Sequence, residues 1–160
     1  MKNKRQDGFS LIELLIVVAI IGIIAAIAVP NLLASRRAAN EGSAQSSIRT
    51  IHSAQVAYQA TAGQGAYSPD LDGLKTQLLI DTVLGGGTKS GYTYAIVEQG
   101  GRNADAVYGV YAFPAVTTGA TQSGTRVFAT TNEGIMHVGT DLNAKPTTIS
   151  AINNLPLLGN

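Results

Sequence analysis

The 160-residue sequence has no cysteine. Disulfides, thiolate metal sites and a lipidated-cysteine anchor are therefore excluded. An extracellular destination stays open, but the fold must then be held by packing alone. Charge is scarce as well: 13% of the residues are Asp, Glu, Lys or Arg, about half the usual share of a soluble domain. The net charge of +1 gives no basic field of the kind that announces nucleic acid. Three of the eleven cations, Lys2, Lys4 and Arg5, crowd the first five residues. No Asn-x-Ser/Thr sequon and no Gly-x-Ser-x-Gly nucleophile elbow occurs. The length suits one modest domain and an anchor, not two large domains.

What the chain does have is grease, concentrated in its first third. Leu14 to Val29 is sixteen residues with no charged or polar side chain, and Phe9 to Glu13 extends the segment to twenty-one. A bilayer core of about 30 Å needs roughly twenty helical residues, so this stretch is long enough to span one. The cations at 2, 4 and 5 favour a cytoplasmic N-terminus, a bias softened by Arg36 and Arg37 on the far side. One residue does not belong in such a segment. Glu13 places a carboxylate near its start, where an unpaired charge in hydrocarbon costs roughly 2.5–3.5 kcal/mol or more. It calls for a partner.

Two readings compete for this segment. Ala26-Ile27-Ala28 resembles a secretory cleavage site, which would release a binding domain beginning at Val29. The apolar run is longer than the roughly 7–15 residues of a signal peptide, and Glu13 has no use in one. A permanently anchored membrane protein is a further rival. The other reading starts from QDGFSLIELLIVVAIIGIIAAIAVPNL, which closely resembles the N-terminus of type IV pilins and of the pseudopilins of type II secretion. The carrying features are a short basic leader ending in Gly8, then Phe9, Glu13 in the fifth position counting Phe9 as the first, and Gly22 and Pro30 in the apolar run. The resemblance is tight over about residues 5–37.

That resemblance implies a leader, residues 1–8, removed between Gly8 and Phe9 by a prepilin peptidase that also N-methylates Phe9. Glycine suits the cut because it has no Cβ to meet a protease cleft. Residues 9–30 become the membrane and filament-core helix, and residues 31–62 its amphipathic half. Residues 63–160 become an α/β head, with no catalytic role implied. Glu13 lies four helical steps from Phe9, about 6 Å along the axis. A neighbouring copy shifted by one turn would set its Phe9 ammonium beside Glu13, turning two costly charges into one pair that keys subunit register. Gly22 and Pro30 weaken the helix between them, where the resemblance implies partial melting on assembly and an isolated subunit a simple proline kink. The implied partners are copies of the chain itself, the peptidase, and the inner-membrane platform and assembly ATPase. The implied location is the bacterial inner membrane and then a surface filament, or the periplasm for a pseudopilus. The absent disulfide favours a small pilin- or pseudopilin-like head, and a short, low-charge head suits the close packing of a major subunit; the expectation is a major type IV pilin, with a major pseudopilin as the alternative.

Further along, Ala44, Ile48, Ile51, Gln55 and Tyr58 recur at helical spacing. They predict an amphipathic helix to Ala62, with Gln45, Arg49, His52 and Gln59 mostly outside the stripe and Gly63-Gln64-Gly65 as its stop. A straight helix from Phe9 to Ala62 would be about 80 Å long. Tyr67-Ser68-Pro69-Asp70 is a turn, and Leu71 to Leu79 a short helix. Alternation predicts strands at Tyr92–Val97, Val107–Phe113, Arg126–Thr130 and Ile135–Val138. The expected fold is α+β: a long N-terminal helix whose second half lies on a roughly four-stranded antiparallel sheet, as in pilins. Residues 139–160 read as coil ending in Leu155-Pro156-Leu157-Leu158, a segment suited to docking on the sheet or at an interface.

The search for chemistry yields little. Gly87-Thr88-Lys89-Ser90 lacks the order of a phosphate loop and reads as a turn entering a strand. His52 and His137 lie in different elements without ligand spacing. Asp70-x-Asp72-Gly73 and Asp141-x-Asn143 set oxygens at alternate positions, which turn chemistry explains. The resemblance adds calcium as a candidate at Asp141 and Asn143, because major pseudopilins often hold it in a C-terminal loop. DNA binding would rest on Arg36, Arg37 and Arg49 without an aromatic face. A solvated surface, or pairing with a neighbour's Glu41, is the preferred reading of those arginines.

Overall fold

The structure is a computed structural model, and it describes residues 9–159. A single helix, α1 (Leu11–Ala60), carries the apolar segment and the amphipathic stripe. Two short helices follow, α2 (Leu71–Thr76) and α3 (Thr82–Gly85). Then come the strands β1 (Thr88–Lys89), β2 (Tyr92–Gly100), β3 (Val107–Pro114), β4 (Val127–Thr131) and β5 (Met136–Gly139), and finally a helix α4 (Ile149–Asn153). The chain divides into two compact units, Met1–Ser35 and Arg36–Asn160.

The second unit is the α+β head. Its sheet is antiparallel in the order β1-β2-β3-β4-β5, each strand beside its sequence neighbour. The four expected strands are present, and β1 makes a fifth. It was missed because two residues carry no period. The residues that join it to β2, Ser90 (φ +49°) and Gly91 (φ +73°), take the paired left-handed conformation that tight hairpins prefer. The loop-like Gly87-Thr88-Lys89-Ser90 is therefore hairpin backbone, and Lys89 is engaged with Asp81 at 2.9 Å.

One sheet face receives the α1 stripe. Ala44, Ile48, Ile51 and Ala54 are buried with Tyr92, Tyr94, Tyr108, Val110 and Phe128, and Tyr58 packs at the margin. Gln55 sits in this stripe for a reason. Its side-chain amide donates to the Ser68 carbonyl at 3.0 Å and accepts from the Ser68 N–H at 2.8 Å, pinning the helix to the Tyr67-Ser68 turn with no polar atom orphaned.

Residues 139–160 depart from the expected coil. Thr148 caps α4 by accepting from the Ala151 N–H at 3.1 Å, and Ile152 is buried on the other face of the sheet with Tyr111, Phe113, Val127 and Ala129. The tail then runs along the β5 edge. Val138 N–H donates to the Pro156 carbonyl at 2.8 Å, and Leu158 N–H to that of Met136 at 2.9 Å. The physical reason lies in β3 and β4, which are apolar on both faces and so need a second cover. Other boundaries also moved. The helix ends at Ala60 rather than Ala62, and the expected 71–79 helix stops at Thr76.

Candidate functional site

Residues 9–32 form the candidate site, and its defining property is that every one of them is exposed. An eighteen-residue window here has a mean hydropathy of 3.1 with nothing buried, which is long and apolar enough to cross a membrane. Fifteen large apolar side chains from Phe9 to Leu32 face outward. Fully covering each is worth about 1.5–3 kcal/mol, a total of tens of kcal/mol. Whole domains are stable by only about 5–15 kcal/mol. A surface of this kind is covered by lipid or protein, not water.

Gly8 and the other leader residues lie outside the described residues. Phe9 is exposed and precedes the helix. Glu13 occupies the first turn of α1, and its Oε2 accepts the Ser10 backbone N–H at 3.0 Å. Ser10-x-x-Glu13 is a capping-box pattern, in which a Glu reaches back to a donor that the helix leaves free. The carboxylate also favours the positive end of the helix dipole. This local role is legible in the Ser10-x-x-Glu13 spacing, although the charge of Glu13 is the more conspicuous signal. It supplies a hydrogen bond and no countercharge. A cut before Phe9 would create an ammonium one residue from the same contact.

The helix passes through Gly22 and Pro30 without interruption. A Cβ built on Gly22 meets nothing within 4 Å, so no contact inside this chain requires glycine there. Beside Pro30, the Asn31 side-chain amide donates to the Ile27 carbonyl at 3.2 Å. Ala26-Ile27-Ala28, the alternative cleavage sequence, is helical throughout.

Several polar residues of the head bond within it. Glu41, expected to be open to a neighbour's arginine, is buried. One oxygen accepts from the Thr125 N–H at 2.7 Å and the Thr125 hydroxyl at 2.8 Å. The other takes Arg126 Nε at 2.8 Å and Nη2 at 2.7 Å. Burial alone would raise this carboxyl's pKa; the Thr125 hydrogen bonds and the Arg126 guanidinium outweigh it and hold the pKa below its ordinary value. Partners more than eighty residues away left no local signal. Arg37 Nη1 likewise donates within the head, to Gln122 at 3.3 Å.

His52 is half-buried rather than outside the stripe, with Nδ1 2.6 Å from the Tyr108 hydroxyl. Desolvation holds its pKa below the usual value. His137 Nδ1 lies 2.9 Å from the Leu155 carbonyl. Asp70 caps α2 through the Gly73 N–H at 2.7 Å, and Asp72 pairs with Lys75. Asp141 accepts from the Asn143 N–H at 2.8 Å, an Asx turn. Among the described residues, no three His, Asp or Glu side chains gather where they could hold a metal ion.

Residues 3–29 match the family described as "Prokaryotic N-terminal methylation motif". The chain is 45% identical over 56 residues to the type IV major pilin protein PilA of Myxococcus xanthus, covering 35% of this chain and 26% of that one. It is 61% identical over 41 residues to the type IV wide pilus major component PilA4 of Thermus thermophilus, covering 26% and 30%. It is 37% identical over 59 residues to the type II secretion system core protein G of Aeromonas hydrophila, covering 37% and 41%. The matches thus span about a quarter to two fifths of these relatives. No solved structure matches.

Proposed function

We propose that the chain is a structural subunit of an extracellular helical filament, most specifically the major subunit of a type IV pilus, with no enzymatic activity. The observation that carries this reading is the wholly exposed apolar stretch of α1 directly after a prepilin-type junction. The subunit is held in the inner membrane through this stretch, cut between Gly8 and Phe9 and N-methylated on Phe9 by a prepilin peptidase. It is then moved by platform and ATPase machinery into a polymer of its own copies, whose apolar helices replace lipid with one another. Glu13 pairs with the Phe9 ammonium of the next copy and sets the stagger. The pair adds little net stability, but loss of one partner strands a charge in an apolar core.

A second reading, the major pseudopilin of a type II secretion system, is favoured by a specific finding: core protein G of several bacteria is among the similar proteins. Mass spectrometry of material sheared from cells tests both readings. A peptide beginning at N-methylated Phe9 is the expected result for a pilus. The same peptide found only in the periplasm would move the assignment to the pseudopilus. A chain beginning at Val29 would overturn the filament.

A further inference from the structure

One residue of the head sits where its side chain opposes folding. Helix α2 closes with two hydrogen bonds, from the Leu78 N–H to the Lys75 carbonyl at 2.9 Å and from the Leu79 N–H to the Leu74 carbonyl at 3.0 Å. This is the Schellman ending, which drives the residue after the cap into the left-handed region and strongly favours glycine there. The residue is Leu78, at φ +57°. A γ-branched side chain in that conformation is strained. The side chain returns nothing to the head. It is 90% exposed, against 58% for Val83, the next most exposed large apolar residue of the head. No burial within the head offsets the strain of this leucine.

We propose that Leu78 anchors the contact between heads of neighbouring subunits, seated in an apolar pocket beside α4 of the next copy. The proposal rests on the filament reading and deepens it. Val127, Ala144, Pro146, Ala151 and Leu155 wall a cavity of about 150 Å³, with Asp141 and Lys145 also lining it. A cavity of about that size takes a benzene ring, so it has room for the end of a leucine side chain. Knob and pocket are different patches of one head. Their contact is therefore heterologous and propagates instead of closing into a two-fold dimer, as a filament requires.

The absence of native cysteine makes the test clean. A full-length chain carrying both Leu78→Cys and Ala144→Cys should give a ladder of disulfide-linked multimers when sheared filaments are oxidised, and neither single variant should. Leu78→Gly should melt at a higher temperature than the parent in detergent while its yield of sheared filament falls severalfold. Parental filament yield from Leu78→Gly overturns the proposal. Loss of filaments by Leu78→Gly with no ladder from a double variant that assembles overturns the pocket as the receptor and points to a different protein or surface. Failure of the parent chain to form filaments would instead overturn the filament reading, independently of Leu78.

Discussion

The two halves of α1 share one helix and obey opposite rules. From residue 36 onward the helix is a conventional amphipathic element: Ala44, Ile48, Ile51 and Ala54 are buried against the sheet, and the polar Gln55 and Glu41 are buried only with their hydrogen bonds met. Up to residue 32 it is apolar on every side and covered nowhere. The hydrophobic effect acts on both. In the head it is satisfied within the chain, and in the N-terminal half only by other molecules. A helix apolar all round belongs to a membrane or to the core of something larger. The proposed life cycle uses both in turn.

If the halves are independent in this way, mutations should sort between them. Ile48→Ala opens a cavity in the head core and should cost about 2–5 kcal/mol, read as an earlier tyrosine near-UV melt of the full-length chain in detergent, with membrane insertion unchanged. Ile20→Asp should do the reverse. Insertion should become less favourable by about 3 kcal/mol, measured by membrane fractionation, while the head melt stays at the parental temperature. Glu41→Ala leaves the Thr125 N–H and Arg126 without an acceptor and should cost about 2 kcal/mol, the partial exposure of Arg126 limiting the loss.

The pH dependence of the parent sharpens the same contrast. Glu41 has a depressed pKa in the fold, so its contribution is present above the unfolded carboxylate value, about 4.3. It is lost as pH falls through the lower folded value. His52 adds a smaller slope at higher pH. With its folded pKa below the unfolded value of about 6.5, the unfolded chain takes up the proton first, and stability declines as pH drops below that value. An acid titration of the head melt should show both steps, and Glu41→Ala should shrink only the lower one, which Asp81, held below its ordinary pKa by the Leu84 N–H and Lys89, also feeds.

Much of this was legible without coordinates, wherever the signal was local. Sixteen uninterrupted apolar residues, the Gly8-Phe9 junction and the period of Ala44, Ile48 and Ile51 announced α1 and its two environments, and alternation announced β2 through β5. What escaped was short or distant. β1 has two residues and α4 five, too few for a period to emerge. Glu41 finds Arg126 across a gap in sequence of eighty-five residues, and a lone glutamate on a helix looks the same whether solvated or paired. The docking of Leu155-Pro156-Leu157-Leu158 on the sheet was one of the two placements its apolar character announced, and β3, apolar on both faces, shows why the sheet needs that cover.

In the proposed filament, the charge of Glu13, more than its capping hydrogen bond, directs assembly through the exposed half of α1. Glu13→Gln separates the two, because glutamine can still accept the Ser10 N–H and carries no charge. Quantifying sheared filament from cells expressing this variant is the most direct test. The expected result is a membrane-inserted, folded chain with little or no filament. Filaments at the parental level would show that Glu13 serves only as a cap, and the register role would be lost.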